Sequence, residues 1–117
     1  MTEQLRRDVS YHDSVGVVGL TGEVDIVQAQ DLRGRLMGAV RNEDVGLVVD
    51  LTGATYIDSV GVSLLFELAD RMAERQLRFA VVLPNGGLVK RVIAIVNLES
   101  VAEIHTTVDD ALVALHS

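Results

Sequence analysis

In the stretch Tyr56-Ile-Asp-Ser-Val-Gly61 an acid, a hydroxyl and a glycine stand close together: Asp58, Ser59 and Gly61. The apolar segment Gly46-Leu-Val-Val-Asp-Leu51 precedes them, a short polar segment intervenes, and a helical pattern follows at once. Two kinds of chemistry fit. A side-chain oxygen at a helix start accepts a hydrogen bond from an amide that has no partner within the helix, which is worth about 1 kcal/mol. A hydroxyl in the same place can instead be displayed for reaction. Capping accounts for Asp58 or Ser59, but it leaves Gly61 unexplained, because glycine lowers helix stability unless something must approach closely.

Enzymatic uses of the serine find little support. A nucleophile elbow needs Gly-x-Ser-x-Gly between strand and helix. Here the serine that follows a glycine is Ser63, in Gly61-Val-Ser-Leu-Leu65, and the second glycine is absent. His12, His105 and His116 are scattered without motif spacing, so three surface or turn histidines are the simpler reading. Asp50 ends an apolar strand, as the phosphoacceptor of a receiver domain does. The comparable place after the earlier strand, Leu20-Thr-Gly-Glu-Val-Asp25, lacks an adjacent acidic pair for Mg²⁺, and the sole lysine, Lys90, is helical. Asn85-Gly86-Gly87 before a helix could cradle an anion, but a plain turn is favoured. No catalytic residue, metal site or cofactor is assigned.

The elements that must position Asp58 and Ser59 follow from periodicity. Leu5 to Tyr11 and Val15 to Leu20 read as a hairpin turning at His12-Asp13-Ser14, with Thr21-Gly22 ending the second strand. From Gln28 to Arg41, Ala29, Leu32, Leu36 and Ala39/Val40 recur at helical spacing. The run Gly46 to Leu51 is a strand covered on both faces. In the helix after Ser59, the pattern predicts an apolar stripe of Val62, Leu65, Phe66, Ala69, Met72 and Ala73, and ion pairs Glu67–Arg71 and Glu74–Arg78. Leu77 to Leu83 is a strand stopped at Pro84. Leu88 to Val96 is a short helix with Leu88 and Ile95 off its core stripe, ended by Asn97 in a left-handed conformation. A strand at Val101 to Ile104 leads to a helix from Val108 to Leu115, capped by Thr107. Strands alternating with helices predict one mixed sheet of four to five strands with about four helices packed on it, an α/β domain spanning residues 1–117.

The 117 residues are 49% hydrophobic and 23% charged, enough apolar content for a real core. The net charge of −7 and the scarcity of aromatics argue against direct binding of nucleic acid. Cysteine is absent, so disulfides and thiolate chemistry are excluded. The opening MTEQLRRDVS lacks an apolar leader core and no run is long enough to span a membrane, so a cytoplasmic protein is expected. A monomer is the default.

Taken together, Leu20-Thr-Gly-Glu-Val-Asp25, Val48-Val-Asp-Leu51 and Tyr56-Ile-Asp-Ser-Val-Gly61 resemble the STAS domains of bacterial anti-sigma-factor antagonists. Leu88-Val-Lys-Arg-Val-Ile-Ala-Ile-Val-Asn-Leu98 is similar to a later helix of that family. The resemblance implies a STAS fold and a partner switch. In such a switch the unphosphorylated antagonist binds an anti-sigma factor that is also a serine kinase, and a sigma factor is freed. Phosphorylation then dissolves the complex, and a serine phosphatase resets it. Carried over to this chain, Ser59 is the phosphoacceptor and Asp58 its neighbour in the kinase contact. Gly61 permits close approach, while Gly22 and Asp25 belong to a loop flanking the same face. Val60 stands where a small or hydroxyl residue is usual, which could alter which kinase fits. Leu88 and Ile95 either extend the contact face or pack a greasy helix. The alternative is a STAS docking subunit of a transport or lipid-trafficking assembly, in which no serine is phosphorylated.

Overall fold

The computed structural model describes residues 5–117. Met1 to Gln4, the start of the polar opening segment, lie outside the described residues, as does the side chain of Ile26. The order is β1 (Arg6–Tyr11), β2 (Val15–Val24), α1 (Ile26–Gly38), β3 (Gly46–Ile57), α2 (Ser59–Glu74), β4 (Arg78–Val82), α3 (Leu88–Val96), a single 3₁₀ turn at Leu98–Ser100, β5 (Glu103–His105) and α4 (Val108–Leu115). The five strands form one sheet in sequence order, β1 antiparallel to β2 and the rest parallel. This is the mixed sheet with four helices that the periodicity predicts.

Because every parallel step adds a strand in the same direction, right-handed crossovers lay the connecting helices on one face. Leu32 and Leu36 of α1, Leu64, Leu65, Leu68 and Met72 of α2, and Val89 and Ile93 of α3 bury there against Val18, Leu20, Val49, Leu51, Val81 and Leu83. The opposite face carries the smaller cluster, in which Ala111 and Leu115 of α4 sit on Val17, Val48, Ala80 and Val82. The central strands are therefore apolar on both sides, which explains their lack of alternation.

Several boundaries differ from the sequence expectation, each for a tertiary reason. Thr21-Gly22 does not end β2, which runs on to Val24, and β3 runs past Leu51 to Ile57. The polar segment before Asp58 is thus strand. The extension is held by pairing of Thr21 to Val24 with Gly53 to Ile57 across two register shifts. Gly53 fits because an added Cβ would lie 2.7 Å from Thr21 Oγ1. β4 pairs with β3 only as far as Asp50, so the tips of β2 and β3 project beyond it. α1 starts at Ile26 and stops at Gly38 rather than spanning residues 28–41. β5 is Glu103–His105, displaced because the 3₁₀ turn takes up the residues after Asn97.

In α2 the buried stripe is Leu64, Leu65, Leu68, Ala69 and Met72, rotated from the expected one, and Ala73 is exposed. Glu67 does meet Arg71, at 3.8 Å, but also takes Arg33 of α1 at 2.6 Å. The expected Glu74–Arg78 pair is replaced, since Arg78 lies in β4 and pairs with Glu103 of β5 at 2.7 Å. α3 and α4 have the predicted bounds, with Asn97 left-handed at φ 57° and the Thr107 hydroxyl accepting from the Asp110 amide at 3.1 Å.

Candidate functional site

β2 and β3 run parallel and end together, Val24 beside Ile57, and each hands over to a helix after one aspartate. The Asp58 amide donates to Val24 O at 3.2 Å, tying the second junction to the first. Asp58 is the N-cap of α2, in extended conformation at φ −99° and ψ −178°. Its Oδ1 accepts from the amides of Val60 at 3.0 Å and Gly61 at 2.9 Å. The choice between Asp58 and Ser59 as the cap is settled for Asp58. Ser59 is the first helical residue and is exposed. Since one carboxylate oxygen already satisfies two first-turn amides, the helix start does not depend on the Ser59 hydroxyl.

Gly61 is buried, and its reason is internal. A Cβ there would fall 2.7 Å from Val24 O and 2.8 Å from Ile57 Cγ1. The first turn of α2 therefore rests directly on the backbone of β2, and the close approach is made by the chain itself. Val60 is partly exposed beside Ser59. Gly22 lies within β2 rather than in a loop, buried and at φ 108°, between the two register shifts that let β2 keep pace with β3. That backbone region strains any residue with a side chain. Asp25 is the N-cap of α1 without a capping side-chain bond; its Oδ1 is 3.5 Å from Gln28 Nε2.

Leu88 and Ile95 lie on the outer side of α3, 42% and 82% exposed. Core packing therefore does not account for Ile95. Two apolar residues at the same end of the sheet escaped the sequence reading. Val27, in the first turn of α1, is 85% exposed, and Tyr56, near the tip of β3, is 41% exposed. Val27 could have been flagged, because it lies off the Ala29-Leu32-Leu36 stripe as Ile95 lies off its own.

The remaining candidates have structural roles. Asp50 Oδ1 accepts from the Thr52 amide at 2.9 Å and its hydroxyl at 2.8 Å, so this acid braces β3 where its register against β2 shifts. Residues 85–87 form a bend before α3. His12 and His116 are exposed, whereas His105 lies in β5 with a buried Nε2 that has no hydrogen-bond partner among the described residues. Arg41 and Asp44 close the connection between α1 and β3. Asp44, 4% exposed, accepts from the Arg41 amide at 2.8 Å and from its guanidinium at 2.9 Å, while the guanidinium stacks 3.8 Å over the Tyr11 ring. Burial works to raise the Asp44 pKa, but the Arg41 side-chain bond, its amide and its charge together hold it below the ordinary value. Arg41 is raised, first by its bond to Asp44. No group of three or more metal-ligating side chains occurs among the described residues. No described helix is long and apolar enough to cross a membrane.

The architecture and this junction place the chain among known proteins. The model of the STAS domain matches residues 6–111, and the chain belongs to that family. It is similar to the anti-sigma-F factor antagonist RsfB of Mycobacterium tuberculosis, 28% identical over 104 residues that cover 89% of this chain and 84% of RsfB. The crystal structure of an anti-sigma factor antagonist from Mycobacterium paratuberculosis matches at a TM-score of 0.88 and 28% identity, covering 100% of both chains. SpoIIAA, an anti-sigma factor antagonist solved in its unphosphorylated form, shares the fold at a TM-score of 0.74 and 17% identity, over 92% of this chain and 93% of that one.

Proposed function

We propose that this chain is an anti-sigma-factor antagonist whose docking surface is the paired β2–α1 and β3–α2 junctions, controlled by phosphorylation of Ser59. In this reading the bare form binds an anti-sigma factor with serine kinase activity and so frees a sigma factor. A serine phosphatase returns the phosphorylated form to the bare one, and the cycle runs in the cytoplasm. One observation carries the reading. Ser59 is exposed on the first turn of α2, where the cap is supplied by Asp58, so the hydroxyl is spare for modification. The family membership and the antagonists it resembles supply the partner class.

The switch follows from electrostatics. A phosphate on Ser59 adds nearly two negative charges at a helix N-terminus, where amides and the helix dipole tolerate an anion. The fold therefore survives modification. The surface does not stay the same, because the phosphate stands next to the Asp58 carboxylate, and burying an unpaired anion in an interface costs several kcal/mol. In this reading Val60, beside Ser59, and the exposed apolar residues Leu88 and Ile95 of α3 and Val27 of α1 supply the apolar part of the contact. Gly61, Gly22 and Asp25 act by setting the position of this surface.

The test is incubation with ATP and the anti-sigma kinases encoded by the same organism, read by intact mass and site mapping for wild type and Ser59→Ala. Modification at Ser59 that is lost in the variant is expected. Modification elsewhere, or none with any such kinase, would favour the alternative of a STAS docking subunit in a transport or other assembly.

A further inference from the structure

The two edges of the sheet are unequal. β5 is three residues long, whereas β1 is six residues long, exposed throughout, and regular in its pairing from Arg6↔Thr21 to Tyr11↔Gly16. A long regular edge without proline or bulge is a template for a further strand.

The direction of its free groups can be read from the turn. His12 and Val15 exchange both backbone hydrogen bonds, at 2.9 and 3.1 Å, across Asp13 and Ser14, both at positive φ. In an antiparallel ladder such pairs alternate, so Ser10, Asp8 and Arg6 bond inward to β2. The N–H and C=O groups of Tyr11, Val9 and Arg7 therefore point out from the edge.

We propose that this edge pairs with β1 of a second copy of the chain, antiparallel and centred on Val9, so that two five-stranded sheets join into one of ten strands. The second copy is the occupant because β1 complements itself in this register. A two-fold axis normal to the sheet preserves its faces and places Val9 opposite Val9. Arg7 then stands opposite Tyr11 of the other copy, whose ring already carries Arg41 on one side, and Asp8 stands opposite Ser10, so no two like charges face each other directly. Of the other symmetric registers, centring on Asp8 sets two carboxylates opposite each other and centring on Arg7 sets two guanidinium groups opposite, both destabilising. Centring on Ser10 leaves only Val9 to Tyr11 of the strand paired. The contact closes as a dimer, because it uses up both long edges and leaves β5 at either end. With only a short strand pair in contact, the association is weak and concentration-dependent. It takes the place of the default monomer and leaves both copies of Ser59 on the same face.

The experiment is sedimentation velocity over a concentration series, together with hydrogen exchange on the full chain. Mass is expected to rise from the 12.6 kDa of one chain toward twice that value. Amide protection at Arg7, Val9 and Tyr11 should rise with concentration, while Asp8 and Ser10 stay protected throughout. Val9→Pro withdraws an outward N–H that the fold does not use, and should weaken association about tenfold or more with the circular dichroism spectrum retained. A chain that stays monomeric at millimolar concentration would overturn the proposal. So would a dimer in which exchange at Arg7, Val9 and Tyr11 is independent of concentration.

Discussion

The junctions β2–α1 and β3–α2 begin alike and end differently. Each strand closes on a buried or nearly buried aliphatic residue, Val24 or Ile57, and each helix follows a single aspartate in extended conformation. Three residues after the aspartate they diverge. At the first junction stands Gln28, whose side chain donates to Glu23 O at 3.2 Å and accepts from the Leu5 amide at 3.2 Å. At the second stands Gly61, with no side chain, seated against Val24 O. The first junction is stitched to its own chain by an amide group. The second is stitched by its cap and by backbone contact, and its serine is left outside. Two helix starts of the same design thus differ: one is tied to Glu23 and Leu5 through Gln28, and the other leaves its first residue, Ser59, exposed.

This contrast can be broken in graded steps. Gly61→Ala should have the largest effect on stability, about 1–3 kcal/mol from a Cβ pressed into backbone that cannot yield. That loss should appear despite alanine's better helix propensity, which is worth about 1 kcal/mol in the other direction. Chemical denaturation measures it, and a stabilised variant would mean that α2 does not rest on Val24 as described.

Asp58→Ala should come next, at about 0.5–2 kcal/mol for a lost cap. Asp25→Ala, where the side chain makes no capping bond, should stay within about 0.5 kcal/mol. Equal losses at the two aspartates would erase the distinction between the junctions.

Asp44 supplies a control acid remote from both. Its folded pKa is depressed, so its contribution is present above the ordinary carboxylate range and is lost as pH falls through the folded value. Melting followed from pH 7 to pH 3 should show an acid-side decline that is shallower in Asp44→Asn, with the contrast between Asp25 and Asp58 unchanged at neutral pH. The smallest effect belongs to Ser59→Ala, expected within about 0.5 kcal/mol of wild type, because Asp58 already holds the first-turn amides. A larger loss would give the hydroxyl a structural job.

How much of this was legible in the sequence depended on where the deciding contact lies. The Asp58-Ser59 junction could be read directly because cap chemistry is local, and Asn97 and Thr107 could be read for the same reason. The extension of β3 through Thr52 and Gly53 could not. Those residues have turn character, and only pairing with β2 and the seat beside Thr21 make them strand. In α2 the run Val62-Ser-Leu-Leu-Phe-Glu-Leu-Ala69 is apolar enough to offer two overlapping stripes, and the sheet chose the one containing Leu64 and Leu68. Gly61 stands out in the sequence as an anomaly, but what it approaches cannot be read there. The residue it must approach, Val24, is distant in sequence and adjacent only across the parallel ladder.

The proposed modification of Ser59 changes the surface and leaves the fold intact. Titration calorimetry of the anti-sigma factor with the unmodified and the Ser59-phosphorylated chain tests this most directly. The phosphorylated chain should bind about a hundredfold more weakly, a loss of about 2.8 kcal/mol, with its melting temperature nearly unchanged. Equal affinity for the two forms would contradict it.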